Sequence, residues 1–149
     1  RKIAKSIYDY KRKNRMNTNI DLVEAVKKSV PERYLNKTLS RVFQAFRIHM
    51  NDELSTIYKS ITVAIDILKP GGRLAVITFH SIEDRLVKNI FRSYSKGKVE
   101  YLKNIGYDTP NSVEKKLTLI NKKPISPSRE EIKDNKRSRS AKLRVAERI

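Results

Sequence analysis

"PGGRLAVITFHSIEDRLVKN", Pro70 to Asn89, decides how this chain folds. Pro70-Gly71-Gly72 ends the helical stretch before it sharply. Leu74, Ala75, Val76 and Ile77 are then consecutive and apolar, with no polar alternation before Thr78. Such a run after a Gly-Gly turn predicts a central parallel strand, residues 73–79, covered on both faces. Ile82, Leu86, Val87, Ile90, Phe91 and Tyr94 follow at helical spacing. At the join stand Phe79, His80, Ser81, Glu83 and Asp84. Ser81 reads as the helix N-cap, and the two acids suit the positive end of the helix dipole. The join also lies at the carboxyl end of a strand, where α/β sheets bind ligands. His80 is therefore open to two readings, as a pocket wall or as a packed histidine. A hydrolytic triad fits poorly, because Ser81 adjoins His80 and no glycine-flanked nucleophile elbow is present.

Upstream, residues 1 to 14 read as a basic helix with Ile3, Ile7 and Tyr8 on one side. A second helix starts near Thr18 or Asn19, carries Asp21 in its first turn, and stops before Pro31. From Asn36 to Leu68 the apolar positions keep a helical period: Leu39, Val42, Phe43 and Phe46, then Leu54, Ile57, Tyr58, Ile61, Ile65 and Leu68. Asn51 or Asp52 can cap a second segment, so this is either two helices or one kinked helix. Arg41, Gln44, Arg47 and Asn51 recur at helical spacing on the opposite face.

Downstream, Ser95 to Glu114 is polar, lacks a clear period, and reads as a loop or a mobile segment. "KLTLIN", 116 to 121, predicts a strand. Ser128 and Glu131 have capping-box spacing for a short helix. Ala141, Leu143 and Val145 alternate as in a final strand. The two late strands can pair antiparallel beside the first. Helix, strand, helix is half of a doubly wound sheet. One central and two late strands do not complete it, so the expectation is the C-terminal part of a larger α/β protein.

The chain has 149 residues, with 34 Lys and Arg against 16 Asp and Glu, a formal charge of +18. An imbalance of this size favours a polyanionic partner, RNA or DNA, held in a salt-sensitive way. "NKRSRSAKLR", Asn135 to Arg144, holds Lys136, Arg137, Arg139, Lys142 and Arg144 without an acid. Arginine forks suit phosphate clamping. The plainer reading is a basic surface loop leading into an edge strand. Arg85 and Lys88 extend the same basic set. No cysteine excludes disulfides and thiolate metal sites, and two histidines, His49 and His80, argue against a histidine-based one. No membrane-spanning run is present, which makes the cytoplasm the default location.

"RVFQAFRIHMNDEL", "LKPGGRLAVITFHSIEDRLVK" and "KKPISPSREEIKDNKRSRSAKLRVAER" together resemble the MraW/RsmH family. The resemblance implies an S-adenosylmethionine-dependent methyltransferase acting on N4 of a cytosine in 16S ribosomal RNA. It implies a class I (Rossmann-like) sheet with an inserted helical domain. Residues 1–36 would be the end of that insertion, and 37–149 the C-terminal half of the core. The family's glycine-rich cofactor loop, ribose-binding acid and Ser-Pro target-base segment have no counterpart here. "PGGR" at 70 to 73 is no substitute, since it follows a helix and precedes a strand. The isolated chain is therefore expected to be inactive and to bind cofactor poorly.

Cytosine N4 is a poor nucleophile, so the implied chemistry is mainly positioning of an unstacked base. On that basis Phe79, His80, Ser81, Asp84 and Asn51 are expected to line the base or cofactor pocket. Arg41, Arg47, Arg85, Lys88, Arg137, Arg139 and Lys142 are expected to meet RNA. No residue is assigned as catalytic and no metal is expected. The expected partner is 16S rRNA or the small ribosomal subunit, and a homodimer is compatible with the sequence. The alternative from another class is a basic RNA-binding module without catalysis.

Overall fold

The computed structural model describes residues 1–102 and 110–149. They form two compact units, 1–51 and 52–149. This division rests on packing, a different criterion from the 36/37 boundary that the family resemblance implies.

The first unit is helical: α1 (Lys2–Lys13), α2 (Asn19–Lys27) and α3 (Glu32–Met50). Leu22, Ala25 and Val26 of α2 are buried, and the Ser6 hydroxyl of α1 donates to the Ala25 carbonyl at 2.6 Å. The Thr18 oxygen accepts from the Asp21 amide, and the Asp21 carboxylate accepts from the Thr18 amide, a reciprocal cap for α2. Tyr8 and Phe46, both on expected apolar faces, are exposed.

The second unit holds α4 (Glu53–Ile67), β1 (Arg73–Thr78), α5 (Ser81–Lys96), β2 (Leu117–Leu119), α6 (Arg129–Asp134) and β3 (Lys142–Arg148), with short 3-10 turns at Val99–Tyr101 and Lys136–Ser140. The helical stretch thus breaks in two at Asn51-Asp52, where Asp52 takes a left-handed conformation (φ 48°). Asp52 precedes α4 but its side chain makes no cap bond.

The sheet order is β1-β3-β2, and β3 is antiparallel to both neighbours. β1 and β2 therefore run in the same direction. A mixed α/β fold of this kind is consistent with part of a methyltransferase sheet. Two expectations change. The last strand is central, not an edge, and β1 pairs only with β3 among the described residues. β1 is also covered on one face only: Leu74 and Val76 pack toward the core, while Arg73, Ala75 and Ile77 are exposed. An uninterrupted apolar run cannot reveal which of its faces a given set of neighbours covers.

Ile61 and Ile65 of α4, Leu86, Val87, Ile90, Phe91 and Tyr94 of α5, Leu117 of β2 and Ala146 of β3 form the core. Leu102 and Val113 join it. The expected loop from Ser95 to Glu114 is corrected accordingly: α5 runs on to Lys96, and both flanks of the stretch contribute buried apolar side chains. Its residues 103–109 lie outside the described residues. Gly97 ends α5 in the left-handed region (φ 63°), which a Cβ would strain.

Candidate functional site at the join of strand β1 and helix α5

The chain leaves β1 at Thr78 and enters α5 at Ser81, so Phe79 and His80 make the turn. The N-cap is His80, not Ser81 as the sequence suggests. The Glu83 amide donates to His80 Nδ1 at 3.4 Å, and Ser81 is the first helical residue with an exposed side chain. Serine is the commoner cap, but the extended backbone (φ −142°, ψ 161°) falls one residue earlier. The Glu83 carboxylate turns back, and its Oε2 accepts from the Phe79 amide at 3.0 Å. Its Oε1 lies 2.9 Å from His80 Nε2. That contact is close but misaligned, and Nε2 is buried without a hydrogen-bond partner. Glu53, the first residue of α4, completes a cluster in which one ligand atom each from Glu53, His80 and Glu83 lies within 4.8 Å of the others. Beside it Phe79 is 56% exposed, an aromatic face open to a ligand.

Asp84 points elsewhere. It is buried and holds Arg144 of β3 through Nε at 2.8 Å and Nη2 at 3.2 Å, with Lys142 Nζ at 3.4 Å. Burial pushes its carboxyl up, but the bonds and charges of Arg144 and Lys142 outweigh burial and hold it below its ordinary value. Asp84 thus ties α5 to β3. Arg144, one of the cations in the basic run, is buried in that tie and does not face solvent. Lys142 is half-engaged in it.

The remaining basic residues divide between the units. Arg137 and Arg139 are exposed on the 3-10 turn before β3, and the turn packs on α6. Arg85 is exposed and Lys88 half-buried on α5. Lys88 and Arg92 border a narrow cleft with Asn121 and Lys122. Asn121 is a feature the sequence reading missed: its amide oxygen accepts from the Val145 amide at 2.6 Å, and its nitrogen donates to Leu143 and Lys123 carbonyls. Arg41, Arg47 and Asn51 belong to the first unit, where all three are exposed. Arg47 shares a shallow hollow on α3 with Ser40, Phe43 and Gln44.

An exposed aromatic beside a carboxylate–imidazole cluster at a strand end can orient a polar ligand. A family model described as the MraW methylase family matches residues 1–149. The chain belongs to that family. It is a methyltransferase family, so the mixed sheet and its α5 entry are part of a methyl-transfer fold. From sequence, Glu83 has only a place in the first turn of the helix, and Glu53 is not singled out. The spacing of three between His80 and Glu83 was a visible signal. Nothing local could pair either with Glu53, which lies in another helix.

Proposed function

We propose that this chain serves S-adenosylmethionine-dependent methylation of N4 of a cytosine in 16S ribosomal RNA, with the small ribosomal subunit or its RNA as partner. The observation that carries the reading is the family match over the whole chain. The charge of +18 and the exposed Arg137 and Arg139 support a polyanionic partner. In this reading residues 1–36 belong to the inserted helical domain and 37–149 to the Rossmann-like core. Phe79 and His80 border the pocket, with Ser81 at its rim. Phe79 offers a stacking face to an unstacked base. Arg85, Lys88, Arg137, Arg139 and Lys142 contact phosphates, and Arg41 and Arg47 are RNA contacts of the first unit in their own right. Since N4 shares its lone pair with the ring, the protein's contribution is orientation of the amino group toward the sulfonium methyl.

The test uses the native protein that contains these residues. It is incubated with S-adenosylmethionine and small-subunit RNA, and the digested RNA is analysed by mass spectrometry. N4-methylcytidine is expected. Methylation of another atom, or of a non-RNA acceptor only, would overturn the reading. No helix among the described residues is long and apolar enough to cross a membrane.

A further inference from the structure

We infer that Glu53, His80 and Glu83 form a binding site for one divalent transition-metal ion. The inference is separate from the methyl-transfer reading and does not rest on it.

The amino ends of two helices converge to build the site. Glu53 is the first residue of α4, His80 caps α5, and Glu83 is in the first turn of α5. One ligand atom from each lies within 4.8 Å of the other two. Zinc or a similar ion sits about 2.0–2.2 Å from nitrogen and oxygen ligands, so in a tetrahedral site the ligand atoms stand about 3.4 Å apart. Side-chain adjustments of roughly 1 Å bring the three ligand atoms to that spacing. The second observation is the imidazole itself. His80 Nε2 is buried and lacks a hydrogen-bond partner, although a carboxylate oxygen is 2.9 Å away. A buried imidazole nitrogen in a carboxylate pair, misaligned for a proton, has the position of a metal ligand. Glu83 is also held from behind, because its second oxygen accepts from the Phe79 amide. Such outer bonds orient ligating carboxylates in metal sites.

Two effects oppose a cation here. The amino ends of α4 and α5 each carry roughly half a positive charge. The two carboxylates supply two full negative charges, so the cluster remains net anionic. An ion on Nε2 also moves the ring proton to Nδ1, which ends the bond from the Glu83 amide. At 3.4 Å that bond is already longer than an ordinary N–H hydrogen bond. Glu53 makes a polar contact of its own, which it would share with the ion. One imidazole and two carboxylates suit zinc or manganese better than magnesium, which prefers oxygen alone and keeps its water.

The experiment is calorimetric titration of Zn²⁺ into the full chain, with Mg²⁺ as comparison and Co²⁺ absorption to report the coordination. Three variants accompany it: Glu53→Gln, His80→Asn and His49→Ala. Asparagine keeps a capping oxygen while removing the imidazole. Glu53→Gln leaves the α5 cap untouched, so it remains decisive if His80→Asn folds poorly by circular dichroism. His49 is exposed on α3 and outside the cluster. The expected result is one saturable site, at least tenfold weaker in Glu53→Gln and His80→Asn and unchanged in His49→Ala. Absence of saturable Zn²⁺ binding by the wild-type chain overturns the inference. So does wild-type affinity in Glu53→Gln, or loss of binding in His49→Ala.

Discussion

Among single residues, Arg144 has the largest predicted effect on stability. Its guanidinium is buried and makes two bonds to one buried carboxylate, which leaves both charges dependent on each other. Arg144→Met should cost about 3 kcal/mol, the lower end for an uncompensated buried charge, because Lys142 still reaches Asp84 at 3.4 Å. Asp84→Asn with Arg144→Met should recover part of that loss, since no charge is then left alone. Urea unfolding of the two single variants and the double variant measures the coupling directly. Strictly additive losses would show that the pair does not act as a unit. The α5 cap offers a second contrast at this scale. His80→Ala removes the acceptor of the Glu83 amide and should cost about 1 kcal/mol. Ser81→Ala, at the position the sequence favours as cap, should stay within about 0.5 kcal/mol. A larger loss at Ser81 than at His80 would reverse the assignment of the cap.

Among elements, α2 shows what a sequence can disclose. Thr18 and Asp21 are three residues apart, and the reciprocal cap they form needs nothing from elsewhere in the chain. Thr18→Ala should therefore weaken α2 by about 1 kcal/mol in thermal unfolding. The Thr18 hydroxyl and amide, with the Asn17 amide, hold the Asp21 carboxyl below its ordinary 3.8. A carboxyl depressed on folding stabilises the fold fully above its unfolded value. That contribution fades as pH falls through the lower folded value. In an acid titration followed by NMR, the Thr18 and Asn17 amides should move with a midpoint below 3.8. An unshifted midpoint would mean the box does not form in solution. A local signal of this kind also locates α6, while Asn51-Asp52 suggests a break without deciding between two helices and one kinked helix. Pairing is another matter. β1 was legible as a strand, but its antiparallel neighbour comes from the far end of the chain, Arg73 facing Glu147 and Thr78 facing Lys142. Hydrophobic pattern carries no record of which strand lies beside which, so β3's central place was illegible. Leu102 and Val113 were missed for a related reason, as isolated apolar residues in a polar stretch show no period. The same limit hid Glu53, whose cluster partners lie in α5 and the turn before it.

For the whole molecule, the charge of +18 is the property that reaches furthest from any one site. Not all of it is available to a partner. Arg144 is neutralised inside the fold, Lys142 is partly so, Arg73 pairs with Glu147 across the sheet, and Lys116 pairs with Asp66. Arg137 and Arg139 are different: both are exposed, on a short turn anchored against α6 and by the buried Ser138 between them. A fixed turn presents its cations without the ordering cost that a loose tail incurs. If these arginines contact phosphate, each releases counterions, and the logarithm of affinity falls with the logarithm of salt by about 0.7 to 0.9 per contact. Replacing both with alanine should flatten the salt dependence of binding to a small-subunit RNA by roughly 1.5. Lys11 and Arg12, exposed on α1, serve as the comparison, since their removal lowers net charge equally. Fluorescence anisotropy over a series of salt concentrations separates the two cases. A flattened slope only for the Arg137 and Arg139 pair would identify a localised phosphate contact. Equal flattening for both pairs would mean that RNA responds to total charge alone, and the turn before β3 would then have no special part in binding.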